Sequence, residues 1–283
     1  MIESHENFAK GTLYLVATPI GNLGDISRRA CDVLESVEVI ACEDTRRTGK
    51  LLELLGLRAQ GLMVANEHTE SSVGATIVAL LEQGQNVALV SDAGTPAISD
   101  PGQRLVRYVV EHGHQVSVVP GPNAATTALT LSGLSTDRWA MEGFLPRKGL
   151  ERDRRLAAIA SDDRTTVIYE SPKRLKRTLT DLATACGSDR QAAVMRELTK
   201  MFEESVRGSL AELSTRFSDD VKGEVVIVVG AGSPQEISDE VIVEALEAEL
   251  LNGATKSGAV SQVTSNLGVA RNRVYSLAHE IRE

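Results

Sequence analysis

Of 283 residues only nine are aromatic and three are cysteine, and no stretch approaches the roughly 18 uninterrupted apolar residues that a membrane-spanning helix requires. Each shortage excludes something. Cys31, Cys42 and Cys186 are odd in number and fall inside predicted elements rather than at paired metal-type spacings. Neither a disulfide framework nor a metal site is expected, and the thiols read as small, largely buried fillers. With so few aromatics, Trp139 and Phe144 read as core packing before base stacking. The polar amino terminus, with Glu3, His5 and Glu6, predicts no signal peptide, and a reducing cytoplasm fits. A GxxxxGK[ST] phosphate loop is missing, and no GxGxxG follows the first predicted strand, so nucleotide triphosphate and ordinary dinucleotide readings lose their main support. Positive charge is also short. A formal net charge of -9 disfavours indiscriminate binding to free nucleic acid, because phosphate affinity comes mainly from lysine and arginine.

That mean hides an asymmetry. Between Pro146 and Arg177 ten basic residues face five acidic ones, a local excess of +5 that leaves -14 for the rest. The split is either a basic face on an acidic body or ordinary solvated helix charge.

The first half alternates apolar runs with helical stretches that tend to end in glycine. Strands are expected at Thr12 to Thr18, Val37 to Cys42, Gly61 to Ala65, Asn86 to Ser91 and Gln115 to Val119, rich enough in Val, Leu and Ile to be buried on both faces. Helices are expected at Ser27 to Ser36, Thr45 to Leu55, Thr69 to Gln83 and Gln103 to His112, with Gly56, Gly84 and Gly113 available as left-handed caps. This is a βαβα pattern, hence a parallel sheet with helices on both faces. Beyond Gly133 the strand-like segments Trp139 to Phe144, Thr165 to Glu170, Gln191 to Glu197, Phe202 to Arg207 and Gly223 to Gly230 predict a second α/β domain. Only four residues separate the Gln191 and Phe202 strands, too few for a helical crossover, so that pair should be antiparallel and the second sheet mixed. After Pro234 the chain becomes helical and resembles a helix-turn-helix around Asn266-Leu-Gly268. The expected layout is an N-terminal segment at 1–10, a parallel-sheet α/β domain at 11–134, a mixed-sheet domain at 135–233 and a helical segment at 234–283. The last segment, with four bases and eight acids after residue 234, is either a nucleic-acid contact or a plain helical cap.

In an open parallel sheet ligands bind outside the carboxyl ends of the strands. Four loops there are unusual: Ala17 to Leu23, Glu43-Asp-Thr-Arg-Arg47, Ser91 to Gly102 and Pro120-Gly-Pro-Asn-Ala-Ala125. All should converge on one sheet edge. Ser91 to Gly102 carries two glycines, two prolines and two aspartates, which fix turns and expose backbone groups, and Asp92 is available to attract a cationic centre.

Eight strings in order carry a resemblance: Thr18-Pro-Ile-Gly-Asn22, Glu43-Asp-Thr-Arg46, Leu89 to Pro96 with Asp100-Pro-Gly102, Pro120-Gly-Pro122, Glu142 to Pro146, Tyr169-Glu-Ser171, Arg196 to Lys200 and Lys222-Gly-Glu224. From about Gly11 to its end the chain resembles the bacterial small-subunit ribosomal RNA 2′-O-ribose cytidine methyltransferases of the tetrapyrrole-methylase-like superfamily. The resemblance implies two α/β domains with S-adenosylmethionine held in the cleft between them, usually a homodimer, and the small ribosomal subunit, through a cytidine of its 16S RNA near the decoding site, as partner. Family cofactor contacts fall on Pro19, on Asp92, Ala93, Gly94, Thr95 and Ile98, on Asn123 and Ala124, and on Tyr169, Leu198 and Thr199. Where tetrapyrrole methylases resemble one another in a Gly-Asp-Pro loop, this chain has Ser91-Asp92-Ala93, which argues against a tetrapyrrole or other small-molecule substrate, the main alternative.

A neutral ribose hydroxyl is a poor nucleophile, so a positioned base is useful, and Glu43, Asp44 and Asp100 are the candidates. Arg46 is a candidate for gripping a substrate phosphate. Glu43 and Asp44 can equally cap the helix that begins near Thr45, with Arg46 paired to one of them. His68 is a weaker substrate candidate. The rival from another class is a ligand-sensing DNA binder, which the acidic tail disfavours.

Overall fold

The structure is a computed structural model and describes residues 10–66, 69–217, 221–232, 238–267 and 269–281. Two compact units divide the chain, residues 1–231 and residues 232–283. His68 and Gly268 lie outside the described residues.

The first sheet is built from β1 (Thr12–Val16), β2 (Val39–Cys42), β3 (Leu62–Val64), β4 (Val87–Val90) and β5 (Gln115–Val119) in the order β3-β2-β4-β1-β5. Every pairing in it is parallel. The connecting helices are α1 (Arg28–Ser36), α2 (Thr45–Leu55), α3 (Glu70–Glu82) and α4 (Gln103–Glu111). Side chains alternate along a strand, so neighbours in sequence serve opposite cores. Tyr14, Val16, Ile40 and Val90 pack with Val33 and Leu34 of α1 and Leu52 of α2. Leu13, Ala41, Val87 and Leu89 pack with Ile77 of α3 and Leu105 and Val109 of α4. Gly56, at the end of α2, takes the left-handed conformation (φ 70°, ψ 18°), where a Cβ would be strained. The expectation of burial on both faces fails for β3 and β5. Leu62, Val64 and Val118 are exposed because these two strands are the sheet's edges, each covered by a strand on one side only.

A helix absent from the sequence reading joins the sheets. Asn123 accepts hydrogen bonds from the amides of Ala125 and Thr126 (3.0 and 3.2 Å), capping α5 (Ala124–Ser132). Ala125, Ala128, Leu129 and Ser132 recur at helical spacing and are buried. Although α5 leaves the last strand of the first sheet, its apolar stripe packs on Val167, Ala193, Met195, Val226 and Val228 of the second sheet.

That sheet contains β6 (Trp139–Phe144), β7 (Thr165–Glu170), β8 (Gln191–Arg196), β9 (Glu204–Ser209) and β10 (Val225–Val229) in the order β6-β7-β10-β8-β9. β6 and β7 are parallel, and the other pairings are antiparallel, including β8 with β9 from Gln191↔Ser209 to Arg196↔Glu204. Its other face is covered by α6 (Leu150–Ser161), α7 (Leu175–Cys186) and α8 (Leu210–Arg216), through Leu156, Leu175, Leu179, Leu182 and Leu213. Trp139 and Phe144 are not core residues. They are 37% and 56% exposed, since β6 is an edge strand and its register shifts between Met141 and Gly143. Cys42 is buried, whereas Cys31 and Cys186 are only half-buried, and all three are free thiols.

The second unit holds α9 (Asp239–Leu251), α10 (Lys256–Leu267) and α11 (Arg271–Glu280). Val260, Val263 and Val274, with Leu267 and Val269 at the margin, close on Ile242 and Leu246 of α9. Arg273 pairs with Asp239 of α9 (2.6 Å), so one of the two arginines that open the last helix is spent inside the unit. Among the described residues no helix is long and apolar enough to cross a membrane.

Candidate active site

The carboxyl ends of β1, β4 and β5 open onto a cavity of about 370 Å³, within the range of small-molecule sites. Its first-sheet wall is Ile20, the run Ala93 to Thr95, Ile98 to Asp100, Asn123 and Ala124; its second-sheet wall includes Phe144, Tyr169 to Pro172, Leu198 and Gly223 to Val226.

Backbone bonds lock these loops together. Thr18 and Gly94 exchange N–H···O bonds of 2.9 and 3.1 Å, so the loops after β1 and β4 form a short antiparallel bridge. The Thr95 hydroxyl donates to the Pro122 carbonyl (3.2 Å), joining the loop after β5. From the second sheet the Tyr169 hydroxyl accepts the Ala125 amide at 3.1 Å. Burial pushes that phenol's pKa up, and Asp100 adds to the rise, while the Ala125 hydrogen bond partly offsets it. Gly21 lies so close to the Leu198 and Thr199 loop that a Cβ there would stand 2.4 Å from a Lys200 methylene and 3.0 Å from the Leu198 carbonyl oxygen. Lys200 bonds Glu197 and Glu224 (2.8 and 2.9 Å), pinning that loop to the strand entering the cavity wall.

Ala97, Ser99, Glu197 and Thr199 are the non-glycine residues with positive φ among the described residues. Each costs about 1 kcal/mol or more in backbone strain, and all four sit in the two loops facing one another across the cavity. Packing holds these loops in shapes that their sequences would not choose alone.

Carboxylates gather at one end. Glu43 accepts the Asp92 amide (3.2 Å), and burial raises its pKa. Asp100 is pushed up to about 6 by burial and then by the negative charges of Glu43 and Asp92. Arg47 pairs with Asp92 Oδ2 (2.6 Å), while Asp92 Oδ1 is buried with no hydrogen-bond partner among the described residues. Thr199 Oγ1 is orphaned in the same way. Among the described residues no lysine or arginine lines the cavity.

Comparison with known proteins fixes the family. The chain is 42% identical over 275 residues to ribosomal RNA small subunit methyltransferase I of Synechocystis, covering 96% of this chain and 98% of that protein. It is 43% identical over 268 residues to the protein of the same name from Xylella fastidiosa, covering 94% and 98%. The chain belongs to the ribosomal RNA small subunit methyltransferase I family. Residues 12–214 also match the family described as Tetrapyrrole (Corrin/Porphyrin) Methylases. In fold it is similar to the uroporphyrin-III C-methyltransferase of Thermus thermophilus solved with S-adenosylhomocysteine, at TM-score 0.54 and 17% identity, covering 80% of this chain and 99% of that one. Family membership makes the chain a methyltransferase.

Of the residues that the resemblance nominated for the cofactor, Ala93, Gly94, Thr95, Ile98, Asn123, Ala124, Tyr169 and Leu198 line the cavity. Pro19, Asp92 and Thr199 are not part of its wall but adjoin wall residues in the chain. Among the catalytic candidates only Asp100 lines it. Glu43 touches Asp92 from behind. Asp44 caps α2, accepting the Arg46 amide at 2.8 Å, and its carboxylate takes two bonds from the Arg46 guanidinium. Those bonds lower the Asp44 pKa to about 2, and the Arg46 side chain is 90% exposed. Phe144 and the Gly223 to Val226 strand entry were missed as wall residues. Phe144 meets Tyr169 edge-on at 5.7 Å, a contact between residues 25 apart that periodicity does not disclose.

Proposed function

We propose that the protein transfers a methyl group from S-adenosylmethionine to the 2′-oxygen of a cytidine in 16S ribosomal RNA, near the decoding site of the small subunit. Its working state in this reading is a cytoplasmic homodimer. The observation that carries the reading is the acid-rich end of an apolar cavity that, among the described residues, is lined by no lysine or arginine. Such a site suits a sulfonium ligand and disfavours a polyphosphate.

The residues present fit this cofactor. Ile20, Leu198 and Val226 offer apolar surface for the adenine, and the Asp100 carboxylate in the same wall favours a cationic donor. When bound, S-adenosylmethionine supplies an electrophilic methyl group. The work of the chain is to hold the ribose oxygen in line and away from water, and to take its proton. Asp100 is the base in this assignment: it lines the cavity, and a pKa near 6 leaves it ionised at neutral pH yet far more basic than Asp44. Glu43 and Asp92 act through Asp100 by holding its basicity up. Arg46, exposed outside the cavity and tethered to Asp44, is assigned a substrate phosphate in this reading.

Incubating the protein with labelled S-adenosylmethionine and small subunits from cells lacking this methyltransferase, then mapping ribose methylation, tests the proposal. Label at one cytidine 2′-oxygen is expected. Label confined to small molecules, or to a base atom, would overturn it.

A further inference from the structure

The basic excess between Pro146 and Arg177 is divided by the fold into two populations. Arg152 bonds Asp181 and the Pro146 carbonyl, Arg155 bonds Glu142, Arg164 bonds Asp162, Arg174 bonds Glu170, and Arg177 lies 3.7 Å from Asp181. Arg147, Lys148, Arg154, Lys173 and Lys176 are exposed and form no ion pair with a described residue. Four of these five belong to two chain segments that leave the cavity wall. Arg147 and Lys148 follow Phe144, and Lys173 and Lys176 follow Pro172; Phe144 and Pro172 both line the cavity. Two paired arginines, Arg152 buried and Arg174 half-buried, bring the segments together: Arg174 donates to the Leu145 carbonyl at 2.6 Å, and Arg152 donates to the Pro146 carbonyl at 2.9 Å and to Thr178 of α7 at 3.0 Å.

We infer that Arg147, Lys148, Lys173 and Lys176 form a docking strip at the cavity mouth for the RNA backbone flanking the methylated nucleotide. The strip is cationic in a chain of net charge -9, and it gathers four of the five arginines and lysines of this span that form no ion pair with a described carboxylate. It complements an acidic cavity end: phosphates are held at the mouth and kept from the interior, where Asp100 lines the wall with Glu43 and Asp92 adding negative charge behind it. The exposed acids nearest in sequence, Glu151 and Asp153, lie in the first turn of α6, C-terminal to Arg147 and Lys148.

This inference rests on the chain acting on ribosomal RNA, and the test separates the two. Methylation of small subunits is measured for the wild-type protein, for Lys148→Glu/Lys173→Glu/Lys176→Glu, and for Arg164→Glu. Arg164 is an exposed arginine just before β7, at the opposite end of that strand from the cavity. Donor binding is followed by calorimetry. The triple variant is expected to raise KM for the subunit at least tenfold, with kcat and donor affinity within about twofold of wild type. The dependence of log kcat/KM on log salt should flatten by about 2, at roughly 0.7 for each phosphate no longer neutralised. Arg164→Glu should behave as wild type. An unchanged KM and salt slope in a triple variant that melts like wild type overturns the strip while the RNA reading stands, and so does equal damage from Arg164→Glu. A wild-type protein that methylates no RNA overturns both.

Discussion

Two aspartates, each in a loop that follows a strand of the first sheet, have opposite fates. Asp44 follows β2 and has a guanidinium, a helix N-terminus and solvent around it, and its pKa falls to about 2. Asp100 follows β4 and has apolar walls and two further carboxylates, and its pKa rises to about 6. The same residue type thus becomes a structural cap in one loop and, in the proposed function, the base in the other. Arg46, two residues on, decides the first case, while burial and the carboxylates of Glu43 and Asp92 decide the second. Charge compensation is local and complete at Asp44, whereas near Asp100 the Arg47 guanidinium pairs with Asp92 instead.

The contrast can be broken by substitution. Asp100→Asn should lower kcat by about 10²- to 10⁴-fold, the usual worth of a general base, with donor binding by calorimetry unchanged. Asp44→Asn, measured alongside, should cost less than about tenfold and appear mainly in thermal stability, since it weakens a cap. Arg47→Ala removes a cation that pairs with Asp92 and holds down Glu43, so the acid limb of the rate profile should move to higher pH by up to about one unit. The smallest effect concerns folding. Asp100 has a folded-state pKa above its unfolded value of 3.8, so the folded protein binds the extra proton and ionisation opposes folding. That penalty is absent below about pH 3.8, grows as pH rises through 6 and is full above it. Asp100→Asn should therefore melt a few degrees higher than wild type at pH 8 and with it near pH 4, as read by calorimetric scans.

Much of this architecture was legible because strands β1, β2 and β4 are continuous apolar runs alternating with helices, which admit few layouts other than a parallel sheet. The four-residue gap before residue 202 likewise dictated the antiparallel β8–β9 pair, although β9 begins at Glu204 because Glu203 folds back to accept the Thr199 amide at 2.6 Å. Edge positions were illegible: nothing in Leu62-Met-Val64 or Trp139 to Phe144 states that a neighbouring strand is missing. α5 was legible but overlooked, since Asn123 before Ala-Ala-Thr-Thr-Ala-Leu-Thr-Leu-Ser and Gly133 is a capped helix with an apolar stripe. The convergence of loops at the carboxyl edge followed from topology. The Arg47–Asp92 and Glu43–Asp92 contacts did not, because they join residues 45 and 49 apart and depend on β2 and β4 being neighbours in the sheet.

Single-turnover methyl transfer from pH 5 to 9, with donor saturating and wild-type protein compared with Asp100→Asn, bears most directly on the assignment of chemistry to this cavity. The wild-type rate should climb tenfold per pH unit below about 6 and level off above it, whereas the variant should be slow and flat across the range. A variant that keeps both the wild-type rate and the inflection near 6 would contradict it.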